Sequence, residues 1–315
     1  MNYTFWGARG SVPTPLTPDT IRQKISTVVS RIRPEDLKSP SHREAFLDSL
    51  PLWLFGTTGG NTTCLEVQLN DGITLVFDAG SGIRELARQH MAGDGPRETY
   101  HLFFTHFHYD HLQGLPFFVP CYIPGTNVRF YSAVENFESV IKEQMKPPYF
   151  PVTMDGVMGG TLSFHRLEEG GEIRLGSATI RWKAVTHPGG AHAYRIEEDG
   201  KVLIFCPDVA LGDNEFERTE ENRAFFKDAD VLILDAQYTL GEAIEKFDWG
   251  HSSYSLGVDF AAGWGIGALY LFHHEPMYDD RKLQQNLQSA RWYADRGGHV
   301  DLSISLALEG ATGSL

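Results

Sequence analysis

The sequence predicts an α/β (α+β) protein in which two mixed β-sheets stack face to face under flanking helices. Three observations predict it. The chain has 315 residues, 42% of them hydrophobic and 22% charged, which suits a large buried core and excludes a disordered chain. Short apolar or alternating strand patterns recur through both halves. Helical patterns fall late in each half, where they serve to cover sheets packed on one another.

Each element follows in order. Tyr3 to Trp6 reads as a strand and runs into a Gly/Pro-rich turn, Gly7-Ala8-Arg9-Gly10-Ser11-Val12-Pro13. From Thr17 the pattern changes. Pro18 and Asp19 suit a helix start, Ile21, Ile25, Val28, Val29 and Ile32 recur at helical spacing, and a second helical pattern follows Ser41. Residues 17–54 are therefore assigned as a helical insertion within one domain spanning 1–315. Cys64–Leu69 and Ile73–Phe77 form a hairpin around Asn70-Asp71-Gly72. A helix is expected from Ile83, a strand over Tyr100–Thr105, a strand over Arg129–Ser132, and a helix through Ile141. Pro147-Pro148-Tyr149-Phe150-Pro151 reads as a rigid, extended aromatic loop. Further strands are expected over Ile173–Leu175, Ala178–Val185, Ala193–Ile196, Val202–Cys206, Val231–Leu234 and Ala268–Phe272. Tyr254–Gly263 and Arg281–Asp295 read as helices.

Charge and cysteine usage bound the function. Lys and Arg number 27 against 41 Asp and Glu, a formal net charge of −14. Long nucleic acids reward a basic surface, so none is expected as a partner. A small anion needs only a local positive site such as a metal ion. Cys64, Cys121 and Cys206 are far apart and form no C-x-x-C pair, so neither a disulfide framework nor a thiolate zinc site is expected. Reduced, buried thiols fit a cytoplasmic location. No apolar run approaches a membrane span, and Met1 to Gly10 shows no leader pattern, so no membrane partner is expected.

The chemical signal is Thr105-His106-Phe107-His108-Tyr109-Asp110-His111, which places four potential metal ligands within six positions directly after an apolar strand. Imidazole nitrogen and carboxylate oxygen suit Zn2+, and also Mn2+ or Fe. Three later strand ends carry ligand-type residues: Thr186-His187-Pro188-Gly189-Gly190, Phe205-Cys206-Pro207-Asp208 and Leu271-Phe272-His273-His274.

In order and type these motifs resemble those of the metallo-β-lactamase superfamily of hydrolases, over most of the chain. The resemblance implies an αββα sandwich and two divalent metal ions. It assigns His106, His108 and His187 to one metal, Asp110, His111 and His273 to the other, and Asp208 with a water or hydroxide to the bridge. His273 is preferred to His274 because it comes first after its strand. Asp235, in Leu234-Asp235-Ala236-Gln237-Tyr238, and His251, in Gly250-His251-Ser252-Ser253, stand where ribonuclease Z-like phosphodiesterases carry a carboxylate that orients a histidine. Asp110, Asp235 and His251 are thereby the catalytic candidates, with His251 assisting the leaving oxygen.

The N-terminal turn and Gly59-Gly60-Asn61-Thr62-Thr63-Cys64 resemble the opening of bacterial members of this branch, among which cyclic-phosphate phosphodiesterases occur. The expected activity is hydrolysis of a small or cyclic phosphodiester. A carboxylic-ester, lactone or thioester hydrolase on the same metals is the alternative; a tRNA-processing endonuclease or a non-hydrolytic diiron protein is less favoured. Arg9, Asn61 and Tyr149 are the candidate substrate contacts. The insertion over 17–54 either caps the site or forms a homodimer surface.

Overall fold

The structure, a computed structural model, describes residues 1–93 and 95–315. Its strands in chain order are β1 (Asn2–Gly7), β2 (Cys64–Gln68), β3 (Thr74–Phe77), β4 (Thr99–Phe103), β5 (Asn127–Ser132), β6 (Thr161–Arg166), β7 (Glu172–Leu175), β8 (Ala178–Val185), β9 (Ala191–Glu198), β10 (Lys201–Cys206), β11 (Val231–Asp235), β12 (Ala268–Phe272), β13 (Ser303–Leu306) and β14 (Thr312–Ser314). They form two seven-stranded sheets, ordered β14-β1-β2-β3-β4-β5-β6 and β13-β12-β11-β10-β9-β8-β7. Both sheets are mixed. β3 through β6 pair in parallel, as do β10 through β13, and the other neighbours are antiparallel.

Three apolar layers explain the stacking. The middle one lies between the sheets and joins Phe5, Phe77, Phe103 and Tyr131 of the first to Trp182, Tyr194, Phe205 and Ile233 of the second. Phe103 stacks on Tyr131 with centroids 4.5 Å apart. A second layer seats Ile83, Leu86 and Ile141 against the outer face of the first sheet. The third seats Val258, Phe260, Leu283 and Leu287 against the outer face of the other. The central strands are covered on both faces, so they read as unbroken apolar runs; every residue of β11 is buried. The result is the αββα arrangement.

Strand direction places the site. β1, β3 and β4 run the same way in one sheet, as do β8, β10, β11 and β12 in the other. Their carboxyl ends gather along one edge of the sandwich. Every ligand-type residue singled out from the sequence follows one of those ends.

Residues between β1 and β2 form helices Pro18–Arg31, Pro40–Asp48 and Leu52–Phe55. Thr17 and Ser39 cap the first two through their side-chain oxygens. Neither of those helices has a fully buried residue. Lys24 anchors the first to the body through Asp280, at 2.5 Å. The loop after Lys146 departs from the extended form expected: Tyr149 and Phe150 both return their amides to the Lys146 carbonyl, so the chain turns there. The three cysteines are buried and unpaired. Among the described residues no helix is long and apolar enough to cross a membrane.

Candidate metal centre

The cluster is built from strand ends. β4 ends at Phe103, and Thr105 follows with its amide and hydroxyl both donating to Asp78, at 2.8 Å each. Asp78 ends β3 in the left-handed region, φ 59°. The chain then passes His106 and His108 and enters the single helical turn Tyr109–Leu112, which turns Asp110 and His111 into the protein. β8 delivers His187, β10 delivers Asp208, β12 delivers His273.

Two groups of atoms result. In the first, His106 Nε2 and His187 Nε2 lie 2.9 and 3.1 Å from His108 Nδ1. Asp208 Oδ2 stands 3.7 and 3.6 Å from the same two Nε2 atoms. In the second, Asp110 Oδ2 is 3.4 Å from His111 Nε2 and 3.1 Å from His273 Nε2, and Asp208 Oδ1 is 3.1 and 3.3 Å from them. Asp208 thus faces both groups, one oxygen to each. Four ligands about 2.0–2.1 Å from a tetrahedral zinc stand about 3.3–3.4 Å apart, the middle of the observed range.

The outer ring nitrogens of four of the histidines are engaged. His111 Nδ1 donates to Asp78 at 2.8 Å, His187 Nδ1 to the Gly250 carbonyl at 2.8 Å, and His273 Nδ1 to Gln237 Oε1 at 2.9 Å; His106 Nδ1 meets Thr105 Oγ1 at 3.0 Å. This fixes which nitrogen faces inward, the arrangement expected around a metal. The inward atoms are left wanting. His111 Nε2 and Asp208 Oδ1 are buried with no hydrogen-bond partner. A buried orphan pair costs free energy unless something joins it, and a cation does so. The residues present therefore fit divalent metal binding.

Electrostatics agrees. Burial opposes charge on Asp208, yet His111 and His273 hold its carboxyl well below the usual carboxylate range. Burial likewise opposes the charge of His111, but Asp208, Asp110 and Asp78 push its pKa well above the ordinary histidine value. His106 goes the other way, held well below by burial and the neighbouring charge of His111. Neutral imidazole is the form that ligates, so His106 is already in that form, while at His111 a cation would take the place of the proton that the carboxylates hold there.

Backbone shape is specialised here. His273 adopts φ 56°, uncommon for a residue other than glycine and frequent at functional sites. Gly10 lies against its ring: a Cβ there would come within 2.4 Å of His273 Nδ1. His274 turns away and bonds the Ala307 carbonyl at 2.9 Å. Beside the cluster, His251 Nδ1 donates to Asp235 at 2.7 Å. Its ring stacks on His273 at 4.7 Å and lies 5.3 Å from His187. It offers a nitrogen within 4.8 Å of Asp208 and His273. Asp235 is fixed by the amides of Val209 and Gln237, at 3.1 Å each.

Two of the expected substrate contacts are bound up within the protein. Arg9 is only 4% exposed, and its guanidinium is spent on carbonyls of Gly59, Glu275 and Tyr278 at 3.0, 3.2 and 2.8 Å. It ties the N-terminal turn to the loop behind His273. Asn61 gives its amide nitrogen to Glu309 at 2.5 Å, and its oxygen accepts from Ser81 at 2.9 Å. Both side chains are thus engaged chiefly with the protein itself. Tyr149 is exposed and lies outside the cluster. Sequence reasoning passed over Asp78, Gln237 and the Gly250 carbonyl. Ser11, in the N-terminal turn, donates its amide to Asp110 at 2.8 Å. The only sequence signal for Asp78 is its place at a strand end before Gly80 and Gly82.

Comparison with known proteins bears on this geometry. Ribonuclease Z of Oceanobacillus iheyensis is 21% identical over 248 residues, covering 62% of this chain and 78% of that protein. Among solved structures, a diphosphatase from the PhnP family superposes with a TM-score of 0.63 at 18% identity, covering 100% of this chain and 97% of that one. Yeast PDE1 gives 0.64 at 16% identity, covering 100% and 99%. At these identities the structural likenesses show the fold. Residues 74–274, well over half the chain, match the family described as the beta-lactamase superfamily domain. The chain therefore belongs to the β-lactamase superfamily, a superfamily of metal-dependent hydrolases.

Proposed function

We propose that this hydrolase is a phosphodiesterase acting on a small or cyclic phosphodiester. In this reading His106, His108 and His187 hold one divalent cation, Asp110, His111 and His273 hold a second, and Asp208 is shared. Zinc suits the imidazole-rich donor set best, with Mn2+ or Fe as alternatives. When bound, such a pair lowers the pKa of water and offsets charge on phosphoryl oxygens.

The protein's own part rests on the Asp235–His251 pair, the observation that carries the reading. Burial works against charge on His251, but Asp235 outweighs it and pushes the pKa up to about 9. A ring so paired is placed to give a proton to a departing alkoxide. Asp235 keeps Nδ1 engaged and so leaves the other nitrogen to face the reacting group. The activities named for two relatives, ribonuclease and diphosphatase, both act at phosphorus and support this reading. The net charge of −14 disfavours long nucleic acids as substrates.

The test compares bis(p-nitrophenyl) phosphate with a lactone and thioester panel on metal-replete protein. Diester turnover is expected to dominate, and turnover of the panel alone overturns the assignment. His108→Ala is expected to lose one equivalent of metal and at least tenfold in rate; unchanged stoichiometry removes the ligand set.

A further inference from the structure

Beside the ligand turn lies a cavity of about 800 Å³ that the chemistry above does not use. Tyr109, Phe117, Tyr149 and Phe150 line it, with the amides of Gln113 and Gln144 among them. Three of these rings are strongly exposed: Tyr109 77%, Tyr149 71% and Phe117 56%. Large apolar side chains left open together mark a binding surface. Phe117 and Phe150 meet edge to face at 6.1 Å, which leaves ring faces open to a guest.

Position ties the cavity to the cluster. Tyr109 stands between His108 and Asp110. In the turn Tyr109–Leu112, Asp110 and His111 face inward. Leu112 and Gln113, three and four residues beyond Tyr109, share its face and line the cavity. One turn of backbone thus carries ligand-type residues on one flank and the cavity on the other. His108 is itself exposed next to Tyr109, so cluster and cavity open on the same stretch of surface.

Composition narrows the guest. Among the described residues no lysine or arginine lines the cavity, so it does not serve a second phosphate. The Gln113 amide nitrogen is already given to Thr62 at 3.0 Å, and Glu143 adds a carboxylate to the lining. Aromatic faces favour a flat ring, and the Gln144 amide favours a ring with heteroatoms at its edge. The Gln144 amide nitrogen has no partner within the protein. An acyl chain would use neither the open ring faces nor that donor.

We propose that the cavity receives a planar heteroaromatic group, about the size of a nucleobase, carried by the phosphodiester whose phosphorus lies at the cluster. The proposal rests on the phosphodiesterase reading and assigns its substrate class.

Saturation-transfer NMR on the metal-replete protein tests it, with AMP and ribose 5-phosphate as probes. Both present a phosphate on a ribose, and only AMP carries the ring. Stacking one base on an aromatic side chain changes affinity by about 5- to 150-fold. AMP is therefore expected to bind about tenfold tighter than ribose 5-phosphate, with saturation reaching its ring protons. The Phe117→Ala/Tyr149→Ala double variant is expected to lose that gain while keeping its circular dichroism spectrum. Equal affinities for the two probes in the wild type, or a gain that survives in the folded variant, overturn the proposal. Hydrolysis of bis(p-nitrophenyl) phosphate by the same samples reports on the diesterase reading separately. A ring-dependent gain without hydrolysis keeps the subsite and removes that reading. Hydrolysis without the gain keeps the reading and removes the subsite.

Discussion

His251 has its Nδ1 held by a buried carboxylate and its ring laid against His273. Truncation to His251→Ala should leave metal content intact and lower turnover by about 10²–10⁴-fold, the usual worth of a positioned general acid. Turnover near wild type would take His251 out of the mechanism. Asp235→Asn separates orientation from charge. Asp235 raises the pKa of His251, so without that charge the ring loses its proton at lower pH. The alkaline fall in kcat should therefore move to lower pH, and an unmoved profile would deny Asp235 that role. The pairing of Asp235 with His251 was legible through the resemblance, which sets a carboxylate and a histidine in these two motifs. The partners of Arg9 and Asn61 were not legible, because a sequence shows what a side chain can donate but not where the donation goes. Both are consumed by carbonyls and a carboxylate supplied from the 275–309 stretch.

Among the elements, the turn after β3 and the ligand turn after β4 are locked together. Ala79 donates to the His111 carbonyl at 2.7 Å, and Gly114 donates back to the Ala79 carbonyl at 2.8 Å. Gly80 is the pinch point. A Cβ there would lie 2.3 Å from the Asp110 carbonyl oxygen and 2.6 Å from that of Thr63. Backbone on both sides cannot yield cheaply, so Gly80→Ala should cost about 1–3 kcal/mol and displace the ligand turn. Urea denaturation and chelator competition would show it; wild-type values in both would mean the turn is looser than these distances imply. Most strands were legible because burial on both faces writes them as apolar runs. β6, β13 and β14 were not. β14 is only Thr312–Ser314, and it exists because β1, at the other end of the chain, offers Asn2 to Thr4 as a pairing edge. No local pattern encodes a partner 300 positions away.

At the scale of the molecule, the two sheets share the cluster unequally but necessarily. The loop after β4 in the first sheet gives His106, His108, Asp110 and His111, while strands of the second give His187, Asp208 and His273. Chelation should therefore lower the thermal midpoint of the whole protein in one transition, because ions that bind only the native state add to its stability by mass action. An unchanged midpoint, or the loss of one sheet before the other, would contradict that coupling. Asp110 and His273 lie 163 positions apart, and His108 and His187 lie 79 apart. In an unfolded chain, keeping such distant residues together costs loop-closure entropy, so an opened protein would release bound metal. A chain with one sheet formed holds at most two histidines or carboxylates of either set outside the shared Asp208. Ion capture is in this sense a checkpoint on assembly, passed only once both halves of the sandwich have docked.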